Sequence, residues 1–299
     1  GKCDYVMANP PFNVDKVKSE SAWAAGRLPF GLPGVNAKSK EIGNANYLWI
    51  SYFYAYLNDH GRAGFVMASS ATDSANKDRD IREKLVRTGD VDVMVSVGNN
   101  FFYTLSLPCS LWFFDKAKRT ENRDKVLFID ARNYYTVVDR TLNEWTEWQL
   151  RNLQAIVHLY RGEKGKYQSL IRDYIKVLDN ASAPLTPERL EEVVKTGQRE
   201  FSTRFTAILE SEKKQAKEAI ATATRMEKKQ VEAEWKETIE YWEDLVETAR
   251  QFEWLTEKFG EGEYKDVLGL CKIATIQEIE EKNYSLTSGA YVGVAEAED

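Results

Sequence analysis

The 299-residue sequence predicts an α/β fold in which a doubly wound, mainly parallel sheet is followed by long helices. Over the first half of the chain, short apolar runs that end in turn residues alternate with helical patterns, as in parallel sheets. From about residue 187 to 259, glycine is nearly absent and apolar residues recur at helical spacing. These two observations predict one α/β region and one helical region.

The first predicted element is a strand over residues 5–8, an apolar run that Pro10 and Pro11 cut off. Proline cannot donate to a strand ladder, and it pushes the residue before it to extended angles. In open α/β sheets the ligand site lies just past the carboxyl ends of the strands. We therefore expect Asn9 and Phe12 to lie where chemistry takes place, although a plain turn with a packing Phe has the same pattern.

The following segments continue the α/β pattern. Residues 13–46 are rich in Gly, Pro, Asn and Lys and predict a long loop, with the cations Lys16, Lys18, Arg27, Lys38 and Lys40. Helices are predicted over residues 46–57, 80–87 and 147–160, and strands over residues 62–68, 91–97, 110–114 and 126–130. The strands 91–97 and 110–114 have no helix between them and should be antiparallel. The basic loop is either a solvated surface segment or lies beside substrate phosphates.

Residues 187–259 predict an antiparallel helical hairpin or coiled coil. The periodic apolar positions are Leu190, Val194, Gly197, Phe201, Phe205, Ile208, Val231, Trp235, Ile239, Trp242, Val246 and Ala249. We expect the stripe that carries Trp235, Trp242 and Phe252 to be buried inside the hairpin, with residues 210–229 as its exposed tip. Two interpretations stay open, a solvated helical spacer and an arm that docks a partner.

Composition argues against several classes of protein. The formal net charge of −6 and the pI near 5.3 are unusual for a protein that binds DNA unaided, since phosphate neutralisation supplies most non-specific affinity. With only His60 and His158, a His-based metal site is not expected. Cys3, Cys109 and Cys271 form no CxxC pair and are expected to be buried, reduced thiols of a cytoplasmic protein. No apolar run in the sequence is long enough to span a membrane.

Asn9, Pro10, Pro11 and Phe12 resemble the Asn-Pro-Pro-Phe motif of N6-adenine DNA methyltransferases. The exocyclic amine of adenine is a poor nucleophile because its lone pair is delocalised into the ring. An Asn side-chain carbonyl and a proline backbone carbonyl can each accept one N–H of that amine, which aims the lone pair at a methyl donor. Phe12 offers a face on which a base rotated out of the duplex can stack.

Further stretches resemble, in order, the modification subunit of type I restriction-modification systems. They are Gly43-Asn44-Ala45-Asn46-Tyr47, Gly61-Arg62-Ala63-Gly64-Phe65-Val66, Phe101-Phe102-Tyr103-Thr104, Pro108-Cys109-Ser110-Leu111-Trp112-Phe113, Leu127-Phe128-Ile129-Asp130-Ala131-Arg132, Tyr264-Lys265-Asp266-Val267-Leu268-Gly269 and Tyr291-Val292-Gly293-Val294. The resemblance implies a catalytic domain over residues 1–160, a helical, coiled-coil-like insertion over 161–261, and a C-terminal family segment over 262–299.

By this resemblance the fold is the later half of a class I, Rossmann-like methyltransferase sheet, and the cofactor is S-adenosylmethionine. The implied catalytic residues are Asn9, Pro10, Pro11 and Phe12. The implied partners are DNA, a specificity subunit, a restriction subunit and a second modification subunit, with no membrane. The glycine-rich cofactor loop is expected upstream of Gly1, so we expect these residues to be the later part of a larger protein and to be inactive alone.

Two other functions stay open. Glutamine and RNA methyltransferases also carry Asn-Pro-Pro before an aromatic residue, which is usually Tyr, whereas Phe12 stands here. The 299 residues by themselves could also be an assembly fragment without activity. Neither the recognition sequence nor the oligomeric state can be derived from these residues.

Overall fold

A computed structural model gives the fold and describes residues 1–102, 106–179, 188, 191, 192, 194 and 200–295. Internal packing divides the chain into two compact units. The first, here the sheet unit, comprises Gly1–Thr146 and Asp266–Asp299, and the second, the helical unit, comprises Glu147–Lys265. The functional domains expected over residues 1–160, 161–261 and 262–299 stay predictions.

The strands belong to the sheet unit. They are β1 (Cys3–Ala8), β2 (Val17–Lys18), β3 (Glu41–Ile42), β4 (Leu57–Ala68), β5 (Val91–Val97), β6 (Cys109–Asp115), β7 (Lys125–Asp130), β8 (Thr136–Asp139), β9 (Leu142–Glu144) and β10 (Cys271–Thr275). Six of them form one sheet in the order β1-β4-β6-β5-β7-β10. In it, β1, β4, β5 and β7 run in one direction, and β6 and β10 run in the other.

Helices surround this sheet and build the second unit. They are α1 (Ser19–Ala24), α2 (Asn46–Tyr56), α3 (Lys77–Arg87), α4 (Glu147–Tyr160), α5 (Lys164–Leu178), α6 (Glu200–Thr222), α7 (Lys228–Phe259), α8 (Ile276–Glu281) and α9 (Gly289–Val292). Helices α4 to α7 lie in the helical unit, and the other five lie in the sheet unit. Short 3-10 turns occur at Ser69–Thr72 and Thr120–Asn122.

The centre of the sheet is buried on both faces, while one edge is open. Successive residues of β5 and β7 are buried, as expected where helices cover both sides of a sheet. Across the neighbouring strands, Phe65 of β4 stacks on Trp112 of β6 with 5.8 Å between ring centroids. On the edge strand β1, the side chains of Tyr5 and Met7 are exposed.

The predicted strands and helices of the sheet unit are confirmed, including the antiparallel pairing of β5 with β6. The largest difference in bounds is at β4, which begins at Leu57 and not at residue 62. Residues 58–61 lie between the helix predicted over 46–57 and the strand predicted over 62–68 and belong to neither prediction. They continue the strand instead, because Leu57 is buried directly after α2 and leaves no room for a loop.

The segment over residues 13–46 was expected to be a long loop, and this was wrong. It contains β2, α1 and β3 and has a small core of its own. Buried Ala22, Ile42, Ala45 and Leu48 form that core. The apolar residues are spaced too irregularly to show a helical or strand period, so their pattern gave no signal.

The expectation that all three cysteines are buried was wrong for one of them. Cys3 is exposed because it lies on the edge strand β1, whereas Cys109 and Cys271 are buried and free. Burial raises the pKa of the Cys109 thiol to about 11. Cys109 is therefore protonated and unreactive at neutral pH.

The helical hairpin of the second unit is confirmed. Helices α6 and α7 are joined by a turn at residues 223–227, inside the expected tip. The burial expected for the aromatic stripe is confirmed for Phe252 alone, which packs on Phe201 of the hairpin and on Tyr174 of α5. Trp235 and Trp242 are only half-buried, and Trp242 packs on Phe205. Leu190 and Gly197, which we placed in the pattern, lie outside the described residues. No helix was predicted over residues 164–178, where α5 lies.

Buried Arg82 on α3 connects distant parts of the sheet unit. Its guanidinium donates to the backbone carbonyls of Ser74 at 2.9 Å and Tyr284 at 2.5 Å, and to the Tyr47 hydroxyl at 3.0 Å. The Tyr47 hydroxyl in turn donates to the Ala71 carbonyl. Burial raises the pKa of Tyr47 to about 12. Arg82 thus holds the segment after β4 against both α2 and the C-terminal segment.

We expect Arg82→Lys to destabilise the sheet unit by about 2–4 kcal/mol. The three N–H donors of a lysine ammonium lie on one nitrogen, so they cannot reach the Ser74 carbonyl, the Tyr284 carbonyl and the Tyr47 hydroxyl together. At least one buried acceptor is then left unpaired. Hydrogen exchange of peptides from β5 and β7 would measure the loss. Arg140→Lys, at an exposed position of the hairpin between β8 and β9, is the control and should change stability by less than about 0.5 kcal/mol. Equal protection in the two variants would contradict the role of Arg82.

Candidate active site

The loop after β1 lies at the edge of the sheet where the four co-directional strands end. Ala8, the last residue of β1, pairs with Phe65 of β4. Farther across the sheet, Ala68 at the end of β4 and Val97 at the end of β5 both pair with Cys109. The segments that follow β1, β4 and β5 therefore leave the sheet side by side.

Asn9, Pro10, Pro11 and Phe12 each have a distinct environment in this loop. Asn9 is exposed, and within the described chain its side-chain amide makes no hydrogen bond. Pro10 is buried and Pro11 is exposed, so the first proline fixes the loop to the unit. The ring of Phe12 is half-buried and contacts no other aromatic ring among the residues that the structure describes. One amide and one ring face are thus available to a ligand.

Three asparagines hold the end of this loop in place. Asn13 has a positive φ of 55°, which Asn tolerates better than most residues. Its backbone N–H donates to Asn46 Oδ1 at 2.9 Å. Its side-chain Oδ1 accepts from Asn44 Nδ2 and Asn46 Nδ2, both at 3.0 Å. Because Asn46 begins α2, the network ties the loop directly to a buried helix.

A polar cleft of about 780 Å³ opens at the same edge of the sheet. Its walls come from the segments after β4, β5 and β7 and from the C-terminal segment. The described residues that line it include Ser69, Thr72, Asp73, Ser96, Asn99, Asn100, Arg132, Asn133, Asn143 and Thr287. None of residues 9–12 is among them, so the structure does not bring the predicted catalytic residues and this cleft into one pocket.

Arg132 is the cation in the lining of the cleft. Its guanidinium donates to both carboxylate oxygens of Asp130, at 2.9 and 2.7 Å, and this hydrogen bonding raises the pKa of Arg132. Two glycines leave room for Arg132. A Cβ on Gly98 would lie 2.7 Å from the backbone carbonyl oxygen of Arg132, and a Cβ on Gly289 would lie 2.8 Å from its Nη2. The two hydrogen bonds to Asp130 fix the direction of the guanidinium. Because the guanidinium is half-exposed, it is also accessible to an anion.

Aromatic residues lie on the neighbouring segment after β5. Phe101 packs against Trp145 with 5.2 Å between ring centroids and against Tyr135 with 6.0 Å. Tyr103 and Thr104, which belong to the same predicted stretch, lie outside the described residues. Phe101 therefore has partners inside the sheet unit, in contrast to Phe12.

Neither a metal centre nor a membrane segment is found in the described residues. No group of three or more His, Cys, Asp or Glu side chains there could hold a metal ion. None of the described helices is both long and apolar enough to cross a bilayer.

A family model described as N-6 DNA methylase matches residues 1–192, more than half of the 299 residues. The chain belongs to the N-6 DNA methylase family. The match includes Asn9 and Phe12, the strand β1 before them, and the residues of the polar cleft other than those of the C-terminal segment. It ends before α6, which begins at Glu200.

Relatives of this methylase chain are methylase subunits of type I restriction enzymes. The MjaIX methylase subunit of Methanocaldococcus jannaschii is 38% identical over 155 residues, which are 50% of this chain and 27% of that subunit. The HindI methylase subunit of Haemophilus influenzae is 28% identical over 165 residues, or 55% of this chain and 35% of that subunit. The chain thus matches about a third of the length of these relatives.

A solved structure shows the same fold over nearly the whole chain. The type I restriction-modification methyltransferase subunit from Streptococcus thermophilus superposes on 98% of this chain and 39% of its own, with a TM-score of 0.52 and 16% identity. Because its coverage extends past residue 192, the helical unit also has a counterpart there. The α/β fold of a class I methyltransferase followed by helices is thereby confirmed.

The supporting residues of the site were missed in the sequence. Asn13, Asn44 and Asn46 are separated by up to 33 positions and show no periodic pattern. Two of them lie in the quoted stretch Gly43 to Tyr47, but nothing in a linear pattern tells which partner an Asn will bind. The one signal in the sequence was the presence of several Asn residues in a predicted loop and at a predicted helix start, positions that Asn favours.

We expect Asn46→Ala to destabilise the loop after β1 and to cost about 1–3 kcal/mol of stability. The substitution removes an acceptor and a donor and leaves the Asn13 backbone N–H without its partner. Hydrogen exchange of the peptide that contains residues 9–14 would report the loop directly. Asn99→Ala, at an exposed position, is the matched control and should leave that peptide unchanged. A protected loop in Asn46→Ala would refute this anchoring role.

Proposed function

We propose that the protein is an adenine-specific DNA methyltransferase that transfers a methyl group from S-adenosylmethionine to N6 of adenine. Family membership supports a DNA methylase, and the chemistry rests on one observation. The Asn9 amide is exposed and unpaired among the described residues at the carboxyl end of β1. An unpaired amide on a loop fixed by a buried proline is suited to orient a ligand rather than to stabilise the fold.

Asn9 and the loop carbonyls would act on the adenine amine. Oδ1 of Asn9 accepts one N–H, and a proline carbonyl accepts the other, so the nitrogen lone pair points away from both. When bound, S-adenosylmethionine supplies an electrophilic methyl group on its sulfonium. The amine nitrogen would take up that methyl group and would then give up one proton to solvent. The two acceptors stabilise the positive charge that develops on nitrogen in this step.

Phe12 would hold the base in place for that step. A base inside a duplex is inaccessible, so an enzyme that modifies it must rotate it out of the stack. Phe12 presents a half-buried ring without an aromatic partner in the described chain. Stacking on a single ring tolerates any base, which leaves discrimination of adenine to the hydrogen bonds at Asn9.

The rest of the DNA grip would come from cations of this chain and from partner subunits. Lys16, Lys18, Lys38 and Lys40 of residues 13–46 supply positive charge in a chain of net charge −6, and Arg132 faces the polar cleft. Arg27 of the same segment instead donates to the Tyr56 hydroxyl, beside the start of β4, and is not among these cations. Relatives that are named as methylase subunits of type I restriction enzymes support assembly into a complex with other subunits. We propose that these are a specificity subunit, a restriction subunit and a second modification subunit. Sequence recognition would then belong to the specificity subunit.

The experiment is a methylation assay with the full-length protein and its specificity subunit. The product is N6-methyladenine, detected by mass spectrometry of digested DNA. We expect Asn9→Ala to lower turnover by about a hundredfold or more while DNA affinity changes little, because the lost acceptor acts in the transition state. The control is Asn58→Ala, near the amino end of β4 and so at the edge of the sheet away from the loop after β1. It should leave turnover close to that of the wild type. Equal losses in binding and turnover would assign Asn9 a folding role instead.

A second substitution tests the stacking role of Phe12. Phe12→Ala should reduce kcat/KM for methylation by about 5- to 150-fold, which corresponds to the roughly 1–3 kcal/mol that stacking on an aromatic side chain contributes. Phe12→Tyr keeps the ring and should retain most of the activity. Wild-type kinetics in Phe12→Ala would remove this residue from the base-binding site.

A further inference from the structure

The distal part of the helical hairpin is an arm whose described side-chain contacts stay within the hairpin. We define the arm as residues 208–243. Among the described residues, each hydrogen bond, ion pair or ring contact of its side chains has its partner in α6, α7 or the turn between them. By contrast, the base of α7 packs on α4 and α5, where Asn152 donates to the Gln251 carbonyl and Tyr174 contacts Phe252.

The arm extends well beyond that base. At 1.5 Å per residue, α7 from Lys228 to Glu243 is about 24 Å long. Ala216 of α6 is buried against this part of the hairpin, so the arm is a closed helix pair and not a frayed end. Its outer surface is available to a ligand.

Charge is segregated along the hairpin. The distal end of the hairpin, residues 213–229 and from here on called the tip, carries six basic residues, Lys213, Lys214, Lys217, Arg225, Lys228 and Lys229, and two acidic ones, Glu218 and Glu227. Two further acidic residues, Glu210 and Glu212, lie directly before it within the wider segment 210–229 that the sequence predicts as exposed. Residues 230–259 of α7 carry nine acidic and three basic residues. A surface that serves solubility alone mixes the two signs, whereas this one separates them.

Five of the six basic residues of the tip make no ion pair with the described residues. Lys213 is the exception and joins the two helices through Glu243 at 3.5 Å. The carboxylate of Glu227 is occupied by the hydroxyl and backbone N–H of Thr224. Lys228 and Lys229 stand in the first turn of α7, which has no acidic residue, although the helix dipole disfavours cations there. The tip therefore concentrates positive potential at a cost to helix stability.

We propose that the tip of the arm binds the phosphate backbone of duplex DNA. Exposed lysines are a usual means of sequence-independent phosphate contact, and the lysines of the tip are all exposed. A protein partner would need an apolar centre, and the only large apolar side chain that stands out at the tip is Met226, 94% exposed. The tip covers roughly 15 Å, about the axial length of four to five base pairs. This inference rests on the proposed function, in which DNA is the substrate.

The test compares two triple variants of the full-length protein in its complex. The tip variant is K217Q/K228Q/K229Q. The matched control is K166Q/K176Q/K236Q, which changes the net charge equally in the same unit but removes lysines paired with Glu163, Asp173 and Glu240. Affinity for a fluorescent duplex is measured by anisotropy over a series of salt concentrations, and circular dichroism checks that helicity is retained.

In the tip variant we expect the slope of log K against log salt to fall by about one to three, because each lost phosphate contact contributes about 0.9. The affinity near 0.15 M salt should fall tenfold or more, and the control should stay within about threefold of the wild type. An unchanged slope in the tip variant would overturn the inference. So would loss of assembly with the specificity subunit at an unchanged slope, which would assign the tip to a protein partner. If the wild type forms no N6-methyladenine, the proposed function fails, while the salt slopes still decide the role of the arm.

Discussion

The sheet unit depends on one buried charge. A guanidinium that has lost nearly all contact with water must find acceptors within the protein, or its burial costs several kcal/mol. Arg82 finds them on three segments that are far apart in the chain: Tyr47 of α2, Ser74 after β4, and Tyr284 near the C-terminal end. The same requirement that satisfies the charge therefore fixes the shape of one wall of the polar cleft. Hydrophobic packing alone would allow these segments to slide, whereas directed hydrogen bonds do not.

The candidate site follows the same logic on a smaller scale. Its reactive part is a short loop with little internal bonding, and rigidity comes from the residues on either side. Pro10 is buried before the loop turns, and Asn13 is tied to α2 after it. An exposed amide at Asn9 can then keep one orientation without a partner of its own. The proposed methyl transfer to adenine depends on orientation because the amine is a weak nucleophile, so this arrangement would place the conformational cost in folding rather than in each turnover.

Sequence reasoning recovered the elements whose pattern is local. The strand before Pro10, the helix that begins at Asn46 and the hairpin around residues 223–227 each carry a period or a stop signal within a few residues. The connections made by Arg82 and by the three asparagines were not predictable, because they join positions 8 to 202 apart and no period marks them. The motif at Asn9 to Phe12 indicated the chemistry, but not that the cleft beside it would be lined by other segments. Helix α5 was readable at helical spacing, with Tyr167, Ile171, Tyr174 and Leu178 buried, and was overlooked.

The discontinuous course of the sheet unit has a consequence for biosynthesis. Its last segment returns to the start of the chain, where the Leu286 N–H bonds the Thr72 carbonyl, the Ser288 hydroxyl bonds the Met94 carbonyl, and Tyr291 stacks on Phe128 at 4.0 Å. On the ribosome, residues 1–146 emerge before the helical unit and lack these contacts until residue 291 has been added. The helical unit is made in between and can fold before the sheet is complete, because the missing contacts of residues 286, 288 and 291 lie outside it. Nascent chains of this protein thus carry an incomplete sheet with exposed apolar surface for the time needed to translate well over a hundred codons.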